Sequence, residues 1–325
     1  MEFNLSEVGL GKGQQKESKV EKVLILGAGP AGLSAALYAA RAELNPLVLT
    51  GTEMGGQASL THTIENYPGF PEGIGGAELG ELFRQQAERF GARFEYDLAT
   101  AVDLSQRPFK VRTYSSEFLA ETLIIATGAS PNHLNVPRES ELTGRGVSYC
   151  ATCDGWFFKD KKVVVVGGGD SALEEGLFLT RYATEVNIIH RRDQLRAGAI
   201  LQKRARENPK IHFIWDTVVS EILGNGVVNG VRLRNLKTGE VRDFETDGVF
   251  IFIGHTPNTQ IFQGQVEMTP QGYIVTDMQM RTSVAGVFAA GEVMDPHYRQ
   301  VVTSAGMGAA AAIEATRFLE ANSSS

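Results

Sequence analysis

Short apolar runs, each stopped by glycine, dominate the pattern of this chain. Lys22–Leu26 (KVLIL) leads into Gly27-Ala28-Gly29-Pro30-Ala31-Gly32 and then an alanine-rich stretch from Leu33 to Ala42. That order reads strand, tight turn, helix. The pattern returns at Lys162–Val166 (KVVVV), which meets Gly167-Gly168-Gly169-Asp170-Ser171-Ala172 and then a helix-like run from Leu173 to Tyr182. A second echo closes each half, Thr122–Gly128 (TLIIATG) and Gly248–Gly254 (GVFIFIG). The chain therefore carries two versions of one plan. This predicts an α/β fold of two Rossmann-like nucleotide-binding domains, the second inserted into the first. Gly286–Glu292 (GVFAAGE) ends as an apolar strand in Gly-acid and is expected to return the chain to the first domain. Proline-bearing connections at Ser130–Pro137 and Thr256–Asn258 are the expected crossings. The division that follows is a disordered tail over 1–19, a first domain over 20–131 and 258–325, and a second over 132–257.

Composition narrows the function without adding to the fold. The 325 residues are comfortable for two domains, and 42% apolar content supplies their cores. With 31 basic against 38 acidic residues the formal charge is −7, which argues against a nucleic-acid or anionic-membrane surface. No apolar run reaches the roughly eighteen residues of a membrane span. The N-terminal MEFNLSEVGLGKGQQKESK lacks a basic-then-apolar signal pattern, so a cytoplasmic protein is expected.

Only two cysteines occur, Cys150 and Cys153, in one Cys-Ala-Thr-Cys. A disulfide-stapled fold or a zinc site of four cysteines would need more. The spacing suits a redox pair across a tight turn. It also suits half of a zinc site completed by other residues, or two inert buried thiols, and the four residues alone leave these readings open.

The glycines have separate physical uses. The first permits a positive backbone dihedral, the second lets the main chain approach a pyrophosphate, and the third allows close helix–strand packing. The helix N-terminus then offers free amides to the phosphates. The copies differ where a sugar is read. In the second, Val186–Ile189 ends in His190-Arg191-Arg192 with Arg196 beyond, a cationic set unsuited to a ribose diol and suited to a 2′-phosphate. NADPH is therefore expected there. In the first, Pro46–Leu49 is followed by Thr50-Gly51-Thr52-Glu53-Met54-Gly55-Gly56-Gln57, with no arginine cluster. A hydride donor that feeds a disulfide works through a flavin, so FAD is inferred for the first domain.

Cys150-Ala151-Thr152-Cys153-Asp154-Gly155 just upstream of the second glycine motif, Gly27–Gly32 near the start and Tyr298-Arg299-Gln300 near the end together resemble the low-molecular-weight thioredoxin reductases of bacteria. The likeness runs from about Lys19 to Leu319 and keeps the order and spacing of every motif. It implies an FAD site at Gly27, Ala28, Gly29, Pro30, Ala31 and Gly32, at Thr50, Gly51, Glu53, Gly55, Gly56 and Gln57, at Asn66 and Gly128, and at Gly291, Glu292, Arg299, Gln300 and Val301. It implies an NADPH site at Gly167, Gly168, Gly169, Asp170, Ser171 and Ala172 with His190, Arg191, Arg192 and Arg196. The pair Cys150 and Cys153 would be a redox-active disulfide in the NADPH domain of a homodimer. Electrons would pass from NADPH through FAD and this disulfide to oxidised thioredoxin.

In that scheme Cys153 is the sulfur nearer the flavin, and Cys150 is the outer thiolate that attacks the partner's disulfide. Asp154 would be the general acid, although its sequence position also suits an ordinary turn acid. Nicotinamide and disulfide share one domain and both must meet the flavin of the other. The family resemblance therefore implies rotation about hinges near Ser130–Pro131 and Thr256–Pro257, with one arrangement captured at a time.

Two departures stand out. The family commonly has Asp where this chain has Glu292, and Trp156-Phe157-Phe158 follows the redox motif as either core packing or a docking surface. Rival readings are a related flavin reductase serving a peroxidase or another disulfide protein, a relative fed by a donor other than NADPH, and a zinc-holding sensor. The peroxidase-serving type normally carries an extra N-terminal redox domain, whereas this sequence starts close to its first glycine motif.

Overall fold

The computed structural model describes residues 19–61 and 63–323. The tail expected over 1–19 lies outside the described residues except for Lys19. The first sheet is built on β1 (Val20–Leu26), flanked in parallel by β2 (Leu47–Leu49) and β6 (Glu117–Ile125). Beyond β2 lies β3 (Arg93–Glu95), parallel to it. The start of β6 pairs antiparallel with β5 (Phe109–Thr113), which pairs with β4 (Ala99–Asp103). Its end pairs in parallel with β17 (Val287–Ala289), so the Gly286–Glu292 segment does return to the first sheet.

The second sheet repeats the arrangement. Its centre is β9 (Lys162–Gly167), between β10 (Glu185–Ile189) and β15 (Gly248–Phe252), with β11 (Ile211–Ile214) and β8 (Val147–Ser148) at the edges, all parallel. An antiparallel meander of β12 (Thr217–Gly224), β13 (Val228–Asn235) and β14 (Val241–Glu245) covers one face. The central strands are buried on both faces, which is why they read as continuous apolar runs rather than alternating ones. Val163, Val164 and Val165 are fully buried, each contributing about 1.5–3 kcal/mol by leaving water.

The helices are α1 (Pro30–Arg41), α2 (Gly76–Arg89), α3 (Ala151–Asp154), α4 (Asp170–Leu179), α5 (Ala199–Glu207) and α6 (Val301–Ser323). Alanines on α1 meet Ala311, Ala312 and Ala315 of α6 in one core. The approach is so close that a Cβ on Gly308 would lie 2.0 Å from Ala31 O. Helix α4 begins three residues before the predicted Leu173 because Gly169 caps it and Asp170 opens its first turn. It stops at Leu179, where Thr180–Ala183 turns towards β10.

Between the two sheets the chain crosses twice, through β7 (Ala129–Pro131) and β16 (His255–Pro257), which pair antiparallel as a short ribbon. Asn258 braces it: its Nδ2 donates to Thr127 O at 2.9 Å and its carbonyl accepts from Thr127 Oγ1 at 2.8 Å. Both predicted crossings lie in this ribbon and the residues just beyond it.

Candidate active site

A cavity of about 1870 Å³ opens at the C-terminal ends of β1 and β2. The first glycine turn forms one wall. Gly27 has φ +106°, and a Cβ there would stand 2.3 Å from Ala126 O, so only glycine serves. At Gly29 nothing lies within 4 Å of a Cβ, so the chain presents bare backbone to the cavity, and the N-terminus of α1 has no side-chain cap. Gly27, Ala28, Gly29, Pro30 and Ala31 line the space, as do Thr50, Gly51, Glu53, Gly56 and Gln57 after β2. Asn66, Gly128, Gly291, Glu292, Arg299, Gln300 and Val301 complete that side. Gly32 and Gly55 are absent from the lining. A Cβ on Gly32 would meet Gly27 O at 1.9 Å, and Gly55 packs on Gly80, so both act through packing.

These features fit a bound FAD. The volume exceeds that of an ordinary ligand cleft, roughly 300–1,000 Å³. Uncapped helix amides face open space for a pyrophosphate, and Glu53 supplies an acid after the second strand, where ribose hydroxyls are read.

On the opposite wall stand Cys150 and Cys153, joined as a disulfide with Cα atoms 5.3 Å apart. Strand β8 delivers them, and Ser148 at its end fixes the turn. Ser148 Oγ donates to Asp154 Oδ2 at 2.6 Å and accepts from the Cys150 N–H at 3.1 Å. Helix α4 contributes Glu175, whose Oε2 accepts from the Ala151 N–H at 3.1 Å. Burial raises the Asp154 carboxyl above the usual carboxylate range, against the Ser148 hydrogen bond. Burial likewise raises Glu175. The aromatic run divides: Phe158 is buried against Phe250, whereas Trp156 is 53% and Phe157 43% exposed.

Facing the disulfide is a loop carrying Arg299. Asp295, itself buried, accepts from the backbone N–H groups of His297, Tyr298 and Arg299, and so holds Arg299 at φ +50°. Arg299 Nη1 donates to His255 Nδ1 at 2.6 Å, and burial followed by the Arg299 charge pushes the imidazole down to about 4. Glu292 is pushed up to about 7, chiefly by burial, with Arg299 opposing and Asp295 reinforcing.

The second glycine turn lies outside this cavity; none of Gly167, Gly168, Gly169, Asp170, Ser171, Ala172, His190, Arg191, Arg192 or Arg196 lines it. Gly169 faces open space at the uncapped start of α4, and Asp170 Oδ1 accepts from the Gly198 N–H at 2.7 Å. Arg191, Arg192 and Arg196 are exposed and carry no ion pair among the described residues. Free amides and three unpaired guanidinium groups fit the phosphates of NADPH. His190 departs from the expected cationic contact. Its ring is 5% exposed and packed on Gly168, and Nε2 lies 3.1 Å from Gln194 O. Burial, then Arg196 and Arg191, lowers its pKa, so it is a neutral support beneath the turn.

Sequence reasoning missed Glu175, His255 and the contact between Gln300 and Thr152. Glu175 sits on a helix already assigned to a nucleotide, and His255 on a connection. Nothing local marks either as part of this cavity.

Residues 21–308 match the family model described as "Pyridine nucleotide-disulphide oxidoreductase". The chain is 54% identical to a thioredoxin reductase of Rickettsia bellii, covering 92% of this chain and 98% of that one. It is 50% identical to a thioredoxin reductase of Streptomyces coelicolor, covering 94% and 95%. Among solved structures, the thioredoxin reductase of Streptococcus pyogenes superposes with a TM-score of 0.88 at 45% identity, covering 92% and 98%. That of Lactococcus lactis in its FR conformation, 43% identical and covering 92% and 99%, superposes at only 0.63.

Proposed function

The chain belongs to the pyridine nucleotide-disulphide oxidoreductases and, among them, to the thioredoxin reductases; on that footing we propose that it reduces the disulfide of a thioredoxin with electrons from NADPH. The observation that carries this reading is the position of the Cys150–Cys153 disulfide on the wall of the cavity built at the first glycine turn. We assign residues 20–131 and 258–325 to FAD and 132–257 to NADPH and the redox pair, in a cytoplasmic homodimer. Bound FAD supplies the step that protein side chains cannot, accepting hydride from NADPH and releasing the electron pair to sulfur.

The protein's own residues do the rest. Gly27–Ala31 with the α1 amides, Glu53 and Asn66 hold FAD, and Gly167–Ala172 with Arg191, Arg192 and Arg196 hold NADPH. Asp154, kept protonated to higher pH by burial, delivers a proton to a departing sulfur. As pH rises through its raised pKa the donor form is lost, and sulfur reduction slows. Cys150 attacks thioredoxin, forming a mixed disulfide that its neighbour resolves.

In this arrangement the second glycine turn stands apart from the cavity, so NADPH bound there requires movement about the β7–β16 ribbon. Two relatives of nearly equal identity and coverage superpose at 0.88 and 0.63, which favours parts that keep their folds and change their relation.

NADPH-dependent reduction of a thioredoxin by Cys150→Ser and Cys153→Ser variants tests the assignment. Disulfide turnover should vanish while flavin reduction by NADPH persists. Normal thioredoxin reduction by either variant would overturn it.

A further inference from the structure

Gln300, from the loop before α6, reaches the disulfide turn. Its Nε2 donates to Thr152 Oγ1 at 3.3 Å, while its Oε1 accepts from Asn66 Nδ2 at 3.1 Å. The amide can face only one way, because Nε2 also lies 3.2 Å from Tyr298 O and 3.1 Å from Arg299 O, and carbonyl oxygens only accept. Thr152 thus receives a hydrogen bond on its oxygen and is left with its O–H to give. Cys150 Sγ is 3.3 Å away. A disulfide sulfur bears no proton, so in this contact the hydroxyl donates. Cys150 Sγ accepts a second hydrogen bond, from the Cys153 N–H at 3.2 Å, whereas no hydrogen bond reaches Cys153 Sγ among the described residues. The environment of the two sulfurs is therefore unequal.

We propose that Thr152 is a further catalytic residue, its hydroxyl aimed by Gln300 to hold the negative charge that develops on the Cys150 sulfur. The idea rests on the thioredoxin-reductase reading, which makes Cys150 the charge-bearing sulfur. When the S–S bond breaks, the two sulfurs take up one electron pair, supplied in turnover by NADPH. Cys150 departs with negative charge and takes the proton that Asp154 delivers, and Cys153 takes a second proton from solvent. Cys150 then gives its proton up again to become the attacking thiolate. That thiolate then forms a bond to one sulfur of thioredoxin and displaces the other. A hydrogen bond to the charged form lowers its pKa, so Thr152 eases the opening of the bond and raises the thiolate fraction afterwards. Gln300 lies on the other side of the crossing ribbon from Thr152, so this aiming operates only while the disulfide faces the cavity.

The ionisable groups around the turn are Tyr149 and Asp154 within it, with His133 and Glu139 behind Tyr149, Glu175 from α4, and Arg299 with His255 across the cavity. Substitution of the exposed Thr152 leaves all of them in place.

The test uses the purified full-length protein reduced by excess dithiothreitol, which gives up the electron pair by closing to its cyclic disulfide. After anaerobic desalting, Cys150 is alkylated with iodoacetamide across a pH series and quantified by peptide mass. In Thr152→Val the half-maximal pH should rise by about one unit, a tenfold loss of thiolate on the acid side, while Thr152→Ser restores the wild-type value. Gln300→Met should shift the midpoint in the same direction with Thr152 intact. An unchanged midpoint in Thr152→Val, or no rescue by Ser, would overturn the role of the hydroxyl. An unchanged midpoint in Gln300→Met would overturn its aiming. Neither NADPH nor thioredoxin enters the measurement, so its failure is separable from failure of the functional reading.

Discussion

The two glycine turns share a backbone plan and differ in what stands over them. At Gly29 the first turn opens on a large cavity whose far wall is a disulfide and whose buried carboxyl, Glu292, is pushed up to about 7. At Gly169 the second turn opens away from that cavity, beside three exposed arginines, with His190 closed beneath it. One site is enclosed and desolvates its charges; the other lies at the surface and attracts charge. The contrast teaches that the motif provides an open backbone turn and an uncapped helix start alone. The surroundings decide whether the nucleotide is a resident group or an exchanging one.

The largest effects should come from filling each turn. Gly29→Val has room for its side chain at the cost of the space where a pyrophosphate would lie. It should fold yet lose flavin affinity by about a hundredfold or more, as lost charge-assisted contacts to phosphate imply. Gly169→Val should keep its flavin and raise the KM for NADPH instead. Flavin content after dialysis and steady-state kinetics read the two separately, and loss of flavin from Gly169→Val would break the comparison.

Next comes the charge at the second turn. Replacing Arg191 and Arg192 together by Gln should raise the KM for NADPH by about tenfold to a hundredfold and leave that for NADH nearly unchanged. A parallel rise for both coenzymes would remove the 2′-phosphate from the account.

Glu292 sharpens the enclosed side. Its folded pKa of about 7 lies above the unfolded value, so protonation favours the native state. The native advantage is complete below the unfolded pKa and is lost as pH rises towards 7. In flavin-free protein, Tm should therefore fall between about pH 5 and 7, and Glu292→Gln should flatten that fall, an effect of order 3 kcal/mol. An identical Tm profile for the variant would place the titration elsewhere.

The smallest effect is expected at His190. A neutral, buried ring gives no charge to a phosphate, so His190→Gln should change the KM for NADPH less than about threefold, well below the arginine variants. A loss equal to theirs would restore it as a ligand.

Much of this was legible beforehand because the chemistry is local. An apolar run, three glycines and a helix occupy one stretch of chain, and each glycine has its own steric reason. Arg191 and Arg192 stand out in the sequence because they follow a strand end, and the fold leaves both exposed beside the second turn. His190 shares that strand end but not its surroundings: three neighbours on one segment look alike in sequence, while the packing of Gly168 buries only the first. Trp156, Phe157 and Phe158 fall in a tight turn that points successive side chains in different directions, so one enters the core and two face solvent. Glu175 and Gln300 were invisible because their partners, Ala151 and Thr152, are brought near only by the tertiary fold.

The central claim is that electrons entering at the second turn reach the sulfurs through a group held at the first. Anaerobic titration of the flavin-loaded protein with NADPH, followed by flavin absorbance and free-thiol counting, tests it most directly. The account predicts that about two NADPH are consumed per chain, with loss of flavin absorbance and appearance of two thiols, since flavin and disulfide each take one electron pair. Bleaching of the flavin after a single equivalent, with Cys150 and Cys153 still joined under excess NADPH, would contradict it.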